Sequence, residues 1–431
     1  MRLPAVADHD DPDVSIVLPC LNEAETLPAC IRNATEALAA IAGELGLRGE
    51  IIVADNGSTD GSREIAQRLG VRVIPVAQRG YGCALRAGCA AAFGRFIVIG
   101  DSDGSYDFRE SVPMVRALLA GNDLCMGSRF TGRIVPGAMP WKNRYIGNPA
   151  LTGLLNLLFR SGMTDAHSGL RAFTSDAFAR MRLSATGMEF ASEVVIKASL
   201  LRLKRSEVPI TLHPDQRNRE PHLRPWRDGW RHLRYLLMLS PGFLFLGPAA
   251  VLGGLSAVLL ILLVLAHDST MLHIGPFVFG DHWAIISGAA LIACAQFAFF
   301  GLATTLYGVR EGYRTLDPGM LRLFAWCRLE NLIVAGLVLV ALGLGLMLHV
   351  AGVWTARDFG ALAQVRETVA ATVSLILGLQ AFFGGFFLAI VNGNHTELGN
   401  IAQPEARPDF AQPVPAPLPA AMRRAKQLQP G

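Results

Sequence analysis

Short apolar runs alternate with amphipathic stretches from Val14 onward, and this alternation covers the first half of the chain. The apolar runs predict strands at Val14–Leu18, Glu50–Asp55, Val71–Val76, Phe96–Asp101, Asp123–Gly127 and Ser206–Leu212. The stretches between them predict helices at Glu23–Ala42, Gly61–Leu69, Cys83–Ala92, Val112–Leu119 and Phe190–Leu201. Strands that alternate with helices are typical of a mostly parallel sheet covered on both faces, so we predict an α/β fold for this part.

The pattern changes after about residue 240, where long apolar stretches replace the alternation. Four of them are long enough to cross a hydrocarbon core as helices, at Phe243–Ala266, Trp283–Tyr307, Asn331–His349 and Thr368–Val391. The predicted organisation is a short tail (1–13), an α/β domain (14–215), a juxtamembrane amphipathic segment (216–240), a four-span helical domain (241–392) and a final tail (393–431). The last tail is rich in Pro, Ala and Gln, which predicts disorder.

The arginines predict how the spans are oriented. They are concentrated before the first span, between the second and third spans, and after the fourth, whereas the 267–282 loop has no Lys or Arg. Because positive loops stay inside, we predict a multi-pass protein of the cell (inner) membrane whose α/β domain and tail are cytoplasmic. Six arginines with Trp226 and Trp230 lie in the 216–234 run, which predicts an interfacial helix over anionic membrane lipids.

Composition narrows the class further. The net charge of +4 is mild for 431 residues, so we expect no nucleic-acid partner. The seven cysteines show no CxxC or Cys/His spacing, which favours a reduced cytosolic domain over a disulfide framework. The first residues are acidic and lack an apolar core, so we expect no signal peptide.

Asp101-Ser102-Asp103 carries the clearest chemistry, because it directly follows the buried apolar run Phe96–Gly100. Ligands of open α/β sheets bind outside the carboxyl ends of the strands. Two carboxylates at such an edge suit a hard cation that completes its shell with substrate phosphates, so we predict Mg²⁺ or Mn²⁺ here. Two further strands run into polar segments at the same predicted edge, Pro19-Cys20-Leu21-Asn22-Glu23 and Asn56-Gly57-Ser58-Thr59-Asp60-Gly61.

The segments SIVLPCLNE, IIVADNGSTDGS and IGDSDGSYDF resemble the family 2 glycosyltransferases of the GT-A fold. Within that family the chain looks most like polyprenyl-phosphate glycosyltransferases, of the dolichyl-phosphate mannosyltransferase and bactoprenyl glucosyltransferase type. MGSRF, HSGLRAF and GMEFASEVVIKA extend the likeness over roughly residues 13 to 240. The resemblance implies a Rossmann-like GT-A domain, a nucleotide-sugar donor and a polyprenyl phosphate acceptor.

The resemblance also implies roles for individual residues on the donor side. Asp101 and Asp103 match the metal-binding pair, with Ser105 where relatives of the mannosyltransferase type carry a Gln that helps to bind metal. The positions that match the nucleotide-sugar pocket are Pro19, Asn22, Glu23, Asp55, Asn56, Gly82, Ala84, Asp101 and Ser102. Gly82 and Ala84 belong to a segment where small residues let the backbone approach the donor.

On the acceptor side, Arg129 and Arg144 match arginines that hold the acceptor phosphate, and guanidinium suits phosphate oxygens. Ser128 adds a hydroxyl, and Arg217 and Arg219 match a flexible loop that reaches the same phosphate. A surface charge is the alternative for Arg144. Glu193 is predicted to place a substrate in the cleft, with a helix cap or salt bridge as the alternative.

The expected reaction is an inverting transfer of a hexose, from a donor of the GDP-mannose or UDP-glucose type, to polyprenyl phosphate. The acceptor phosphate is already anionic and needs no strong base; His167 is accordingly interpreted as structural rather than catalytic.

Two alternatives stay open, a glycosyltransferase that acts on another lipid or polysaccharide and a non-catalytic membrane protein. The absence of a Gln-x-x-Arg-Trp motif disfavours a processive synthase. For the spans, oligomerisation and product passage stay open as roles in addition to anchoring.

Overall fold

The first part of the chain is built on one seven-stranded sheet. The computed structural model describes residues 12–216, 225–266 and 271–394, with the backbone alone for 225–228. The strands are β1 (Val14–Cys20), β2 (Gly49–Asp55), β3 (Arg72–Pro75), β4 (Phe96–Ile99), β5 (Leu124–Ile134), β6 (Arg171–Thr174) and β7 (Arg205–Leu212). Their order is β3-β2-β1-β4-β6-β5-β7, and β6 runs antiparallel to both of its neighbours. The other pairs are parallel, which confirms the prediction of a mostly parallel sheet.

Helices cover both faces of this sheet. They are α1 (Leu27–Leu45), α2 (Ser62–Arg68), α3 (Tyr81–Ala90), α4 (Ser111–Leu119), α5 (Asn148–Phe159), α6 (Ser175–Met181) and α7 (Phe190–Leu200), with a 3₁₀ turn at Phe108–Glu110. Successive residues of a strand point to opposite faces. Ile16 and Leu18 of β1 therefore pack in a core with α1 and α4, whereas Val17 packs on the other face with α3 and α7. The fully apolar strand pattern reflects burial on both faces.

The prediction was incomplete between residues 128 and 189. The structure has α5, β6 and α6 there, and β5 continues to Ile134 through a register shift between Ser128 and Arg133. The pattern concealed β6 because the strand is short and begins with Arg171. That guanidinium is fully buried and donates to the carbonyl oxygens of Ser168 and Ala191, both at 2.8 Å. Hydrogen bonds of this kind offset the cost of burying a charge.

The second part of the chain is helical. It contains α8 (Pro225–Met238), α9 (Gly247–Leu265), α10 (Asp281–Arg310), α11 (Pro318–Trp326), α12 (Leu329–Ala356) and α13 (Val365–Val391), with a π-helical turn at Gly242–Leu246 and a hairpin of β8 (Leu272–Ile274) and β9 (Phe277–Phe279). Among the described residues, four helices are long and apolar enough to cross a membrane, at Gly242–Leu265, Asp281–Arg310, Leu329–Ala356 and Val365–Val391. The four predicted spans are thereby confirmed, each with slightly different ends.

Glycines bring α12 and α13 into backbone contact. A Cβ added at Gly336 would lie 2.7 Å from the carbonyl oxygen of Gly378, and one at Gly343 would lie 2.7 Å from the side chain of Leu375. Small residues at a helix interface permit this close approach, which is a common way of packing helices in membranes.

Candidate active site

Three neighbouring strands deliver the predicted donor-side residues to one edge of the sheet. β1 and β2 are parallel and pair Cys20 with Asp55 at their last residues, while β4 pairs with β1 on its other side. Asp101 follows β4 after Gly100, whose N–H donates to the carbonyl oxygen of Val17. The ends of three parallel strands therefore meet where the Asp101–Asp103 motif begins, which is the position at which α/β sheets bind ligands.

Asp101 is held between a tyrosine and a glycine. The hydroxyl of Tyr81, the first residue of α3, donates to Asp101 Oδ1 at 2.8 Å. On its other side, a Cβ at Gly169 would lie 2.3 Å from Asp101 Oδ2, so only glycine fits there without a shift. Burial and the adjacent Asp101 charge raise the pKa of Tyr81 well above its usual value, which keeps the phenol protonated as a donor. Tyr81 was not among the predicted site residues. Its position between Gly80 and Gly82, in the segment predicted to approach the donor, was the feature that could have indicated its role.

Asp103 and Ser105 form a closed turn. The backbone N–H of Ser105 donates to Asp103 Oδ1 at 3.0 Å, and the Ser105 hydroxyl donates to the same oxygen. Ser105 therefore orients the Asp103 carboxylate through these two hydrogen bonds. Its role as a third metal ligand stays a prediction. Within the described ranges, no group of three or more His, Cys, Asp or Glu side chains is placed to hold a metal.

The donor set nonetheless suits a hard divalent cation. Two carboxylates supply anionic oxygen ligands, and Mg²⁺ in particular is commonly bound by one or two carboxylates with substrate phosphates and water. Asp101 and Asp103 are the residues that would hold it. Such an ion would neutralise charge that develops on a departing diphosphate.

Hydroxyl groups tie β1 to the turn that carries the carboxylates. The Ser102 hydroxyl donates to the carbonyl oxygen of Pro19, and the Thr26 hydroxyl donates to the carbonyl oxygen of Ser102 at 2.7 Å. Glu23 is buried, and its backbone N–H donates to the Ser62 hydroxyl at 2.9 Å. The hydrogen bond between Ser102 and Pro19 therefore joins the end of β1 to the carboxylate turn.

Asn22 joins the β1 loop to the β2 loop. It has a positive φ of 60°, which asparagine tolerates better than most residues. Its backbone N–H donates to the Ser58 hydroxyl at 2.9 Å, and its Oδ1 accepts from the N–H of Thr59 at 2.8 Å. Asp55 closes the same turn, since its Oδ1 accepts from the N–H of Ser58 at 3.1 Å.

Asn56 holds the segment 76–82, which we call the donor loop. Its Nδ2 donates to the carbonyl oxygen of Gln78 at 2.8 Å, and its Oδ1 accepts from the N–H of Gly80 at 2.7 Å. One buried amide thus satisfies both a donor and an acceptor of the loop backbone, which fixes the conformation of the loop.

The two glycines of the donor loop are required by a protein contact. A Cβ at Gly82 would lie 2.4 Å from the carbonyl oxygen of Ala185, and one at Gly80, where φ is 139°, would lie 2.1 Å from that of Thr186. Ala84 is buried behind them. The small residues were predicted to admit the donor; in the structure the neighbour at Gly80 and Gly82 is the segment 184–187, which we call the support loop.

Arg129 and Ser128 bind a neighbouring loop. Nε and Nη2 of Arg129 donate to the two oxygens of Asp165 at 2.6 and 2.8 Å, and Asp165 is fully buried. Ser128 shares a 2.6 Å hydrogen bond with the Thr164 hydroxyl. Arg129 is only 8% exposed and has two of its three guanidinium nitrogens bound to Asp165, so its predicted contact with an acceptor phosphate stays a prediction that rests on the third nitrogen.

Of the remaining predicted arginines, Arg144 lies in a surface turn, and the other two are outside the described residues. Arg144 is half-buried in a π-helical turn, Asn143–Gly147, with its guanidinium 5.4 Å from the ring centre of Tyr145. Arg217 and Arg219 are outside the described residues. Gln216, the last described residue before them, donates its N–H to the carbonyl oxygen of Asp103 at 3.0 Å.

Glu193 differs most from its predicted role of placing a substrate in the cleft. Its carboxylate is fully buried, forms a 2.7 Å ion pair with Lys197, and accepts hydrogen bonds from the support loop and Tyr235. Burial raises the pKa of Glu193, but Lys197 and these hydrogen bonds more than offset the increase, so the net pKa is below its usual value. A carboxylate surrounded in this way contacts protein groups, and the salt-bridge alternative holds.

His167 is half-buried and hydrogen-bonded to protein groups, in line with its interpretation as a structural residue. Its Nε2 lies 3.0 Å from the Ser192 hydroxyl, which lies 2.8 Å from Nδ1 of His232 on α8. Burial, His232 and two arginines hold the pKa of His167 well below its usual range, so this imidazole is neutral.

This geometry agrees with comparisons to protein families. The chain belongs to glycosyl transferase family 2, whose model matches residues 15–182, and the family 2 C-terminal transmembrane region matches residues 302–392. It is therefore a glycosyltransferase of a membrane-associated kind, which confirms the resemblance at the level of the family.

Individual relatives cover most or half of the chain. Low-salt glycan biosynthesis hexosyltransferase Agl6 of Haloferax volcanii is 38% identical over 386 residues, which is 89% of this chain and 90% of that protein. Glycosyltransferase AglJ of the same organism is 31% identical, over 50% of this chain and 68% of its own length. Among solved structures, glucosyl-3-phosphoglycerate synthase from Mycobacterium tuberculosis with phosphoglyceric acid is 23% identical over 53% of this chain and 80% of that one, with a TM-score of 0.41.

Proposed function

We propose that this protein is an inverting hexosyltransferase that moves a hexose from a nucleoside diphosphate sugar to the phosphate of polyprenyl phosphate. The observation that supports this proposal is that one chain combines a carboxylate pair suited to a metal–diphosphate with helices suited to a membrane. Asp101 and Asp103 lie at the carboxyl edge of a mostly parallel sheet, and four helices of the same chain are able to span a membrane. A donor of the GDP-mannose or UDP-glucose type is soluble, whereas such an acceptor stays in the bilayer.

The donor side is supported by its chemistry and its rigidity. The carboxylates of Asp101 and Asp103 suit a cation bound to a diphosphate. Asn22 and Asn56 fix the loops around them through backbone hydrogen bonds. A preformed pocket lowers the entropy that must be lost when a flexible nucleotide binds. The name of the relative Agl6 supports a hexose as the group transferred.

The acceptor side is supported by an unusual exposed surface near α5. Trp141 and Tyr145 are 62% and 67% exposed, and Ile146 is exposed between them and α5. Lys142 and Arg144 lie within 6 Å of the Trp141 and Tyr145 rings, at 5.9 and 5.4 Å. Aromatic rings flanked by cations favour the headgroup boundary of a membrane, where a lipid phosphate also lies.

The proposed orientation follows from the arginines before α9, between the spans α10 and α12, and in the tail. We therefore propose that the α/β domain, the segment between α10 and α12, and the tail lie on the inner side of the cell membrane. Exposed Trp230 on α8 would then face the inner headgroups, on a different side of the helix from buried Leu236.

No strong base is needed for this reaction. A phosphate monoester is an anion near neutral pH, so its oxygen attacks the anomeric carbon once it is held in line. In this proposal Arg144 attracts that phosphate, and His167, whose pKa is held well below its usual range by burial, is a poor base. A single displacement inverts the anomeric centre and gives a β-linked product from an α-linked donor.

The test is sugar transfer by the full-length protein in detergent. The assay contains undecaprenyl or dolichyl phosphate, Mn²⁺ or Mg²⁺, and a panel of labelled nucleotide sugars, with label counted in the organic phase. We expect metal-dependent label from one donor. Transfer into a polymer or a different lipid instead, with no label on either polyprenyl phosphate, would contradict the proposed acceptor.

A further inference from the structure

Glu193 is a junction between three parts of the molecule. Its carboxylate accepts from the N–H of Ser184 at 2.8 Å and from that of Ala185 at 2.8 Å, both in the support loop. It also pairs with Lys197 of α7 and accepts from the Tyr235 hydroxyl of α8 at 2.7 Å. Because the carboxylate is fully buried, each of these contacts is made in a medium where hydrogen bonds to a charge are strong.

The support loop in turn fixes the start of α3. The carbonyl oxygens of Ala185 and Thr186 occupy the space that side chains at Gly82 and Gly80 would fill, and the N–H of Cys83 donates to the Thr186 oxygen at 3.3 Å. Tyr81 lies between the two glycines and donates to Asp101. Movement of the support loop would therefore displace both the donor loop and a hydrogen bond to a proposed metal ligand.

On its other side, Glu193 is linked to the membrane part. Lys197 lies 5.3 Å from the ring centre of Tyr313, in the loop 311–317 between α10 and α11. The same loop is attached to α7 by Thr315, whose N–H donates to the carbonyl oxygen of Leu200 at 3.1 Å. Arg182 donates to the carbonyl oxygen of Glu311 at 2.7 Å.

We propose that Glu193 is a positioning residue through which α8 and the 311–317 loop hold the support loop, and with it the donor loop, in the conformation that binds the nucleotide. The inference rests on the proposed function for the identity of the donor. It assigns part of donor affinity to Tyr235, a residue on the helix next to the membrane. Contact of the α/β domain with its membrane part then becomes a condition for tight nucleotide binding.

Tyr235→Phe tests this directly, because it removes one hydroxyl and keeps the ring. The matched control is Tyr307→Phe, an exposed tyrosine of α10. Amide hydrogen exchange of the support loop is measured on the full-length proteins in detergent, together with binding of UDP and of GDP in the presence of Mn²⁺. The exchange readout needs no substrate, so it reports on the coupling even if the proposed donor is wrong.

We expect faster exchange at residues 184 and 185 in Tyr235→Phe, and a Kd for the bound nucleotide raised by roughly three- to tenfold, because a buried hydrogen bond to a charge is lost. Tyr307→Phe should match the wild type in both. Unchanged exchange, or faster exchange with an unchanged nucleotide Kd, would overturn the inference. Failure of the wild type to bind either nucleotide would instead count against the proposed function.

Discussion

The donor side and the acceptor side of this site are built in opposite ways. On the donor side, buried side chains such as Asn56 and Ser102 satisfy one another and the backbone, so the pocket is formed before any substrate arrives. On the acceptor side, Arg144 lies in a surface turn beside exposed Trp141 and Tyr145. Under the proposed function, this contrast means that the soluble donor binds a preformed protein pocket, whereas the membrane completes the acceptor site.

The largest expected effect is on the donor side. Asp103→Asn keeps the shape of the side chain and its contact with Ser105, but removes a charge that would hold the metal. We expect the initial rate of sugar transfer to fall by about a thousandfold or more, since electrostatic stabilisation is often the largest contribution to catalysis. Asp176→Asn, on exposed α6, should leave the rate unchanged. A rate within tenfold of wild type for Asp103→Asn would show that this carboxylate does not hold a required metal.

Arg129 lies between the two sides and distinguishes a structural from an acceptor role. Arg129→Leu leaves the carboxylate of Asp165 buried without its partner, and we expect a loss of about 3–5 kcal/mol in the free energy of unfolding. Arg129→Leu combined with Asp165→Leu should recover much of that loss. Thermal unfolding in detergent measures both variants. A stable Arg129→Leu protein with weakened acceptor binding would restore the role predicted from the sequence.

Arg144 tests whether the acceptor side can be weakened without affecting the donor side. Arg144→Ala should raise the KM for polyprenyl phosphate roughly tenfold, the size expected for one lost hydrogen bond to a charged group, and leave the KM for the donor unchanged. Arg116→Ala, an exposed arginine on α4 that pairs with Glu44, is the control. An equal change in both KM values would mean that the two sides are not separate.

The smallest expected effect concerns pH. The pKa of His167 is depressed in the folded protein, so the unfolded state binds the extra proton. Stability that is present above the unfolded pKa of about 6.5 should therefore be lost as the pH falls, by at most about 1.4 kcal/mol per pH unit. Unfolding temperatures compared at neutral and mildly acidic pH should show a steeper decline for the wild type than for His167→Gln. Equal declines would contradict this assignment.

The sequence predicted the parts of the fold that are governed by a simple pattern. Strands buried on both faces, such as β1 and β4, read as continuous apolar runs, and the four spans read as long ones. It did not predict β6, because the carbonyl oxygens of Ser168 and Ala191 that allow Arg171 to be buried are visible only in the structure. Arg129 and Glu193 were recognised as charged residues near the site. The Asp165 partner of Arg129 is 36 residues away and could be found only from the structure. Lys197 lies one helical turn from Glu193, as the salt-bridge alternative allowed, but the burial of the pair was not predictable.

The central claim is that the acceptor is an anion whose phosphate attacks without a base. The most direct test compares undecaprenyl phosphate with undecaprenol, the same lipid with a neutral hydroxyl, in one transfer assay with the preferred donor. We expect labelled product from undecaprenyl phosphate and none above background from undecaprenol. Comparable transfer to the alcohol would contradict it, because a hydroxyl acceptor requires a base that this account does not contain.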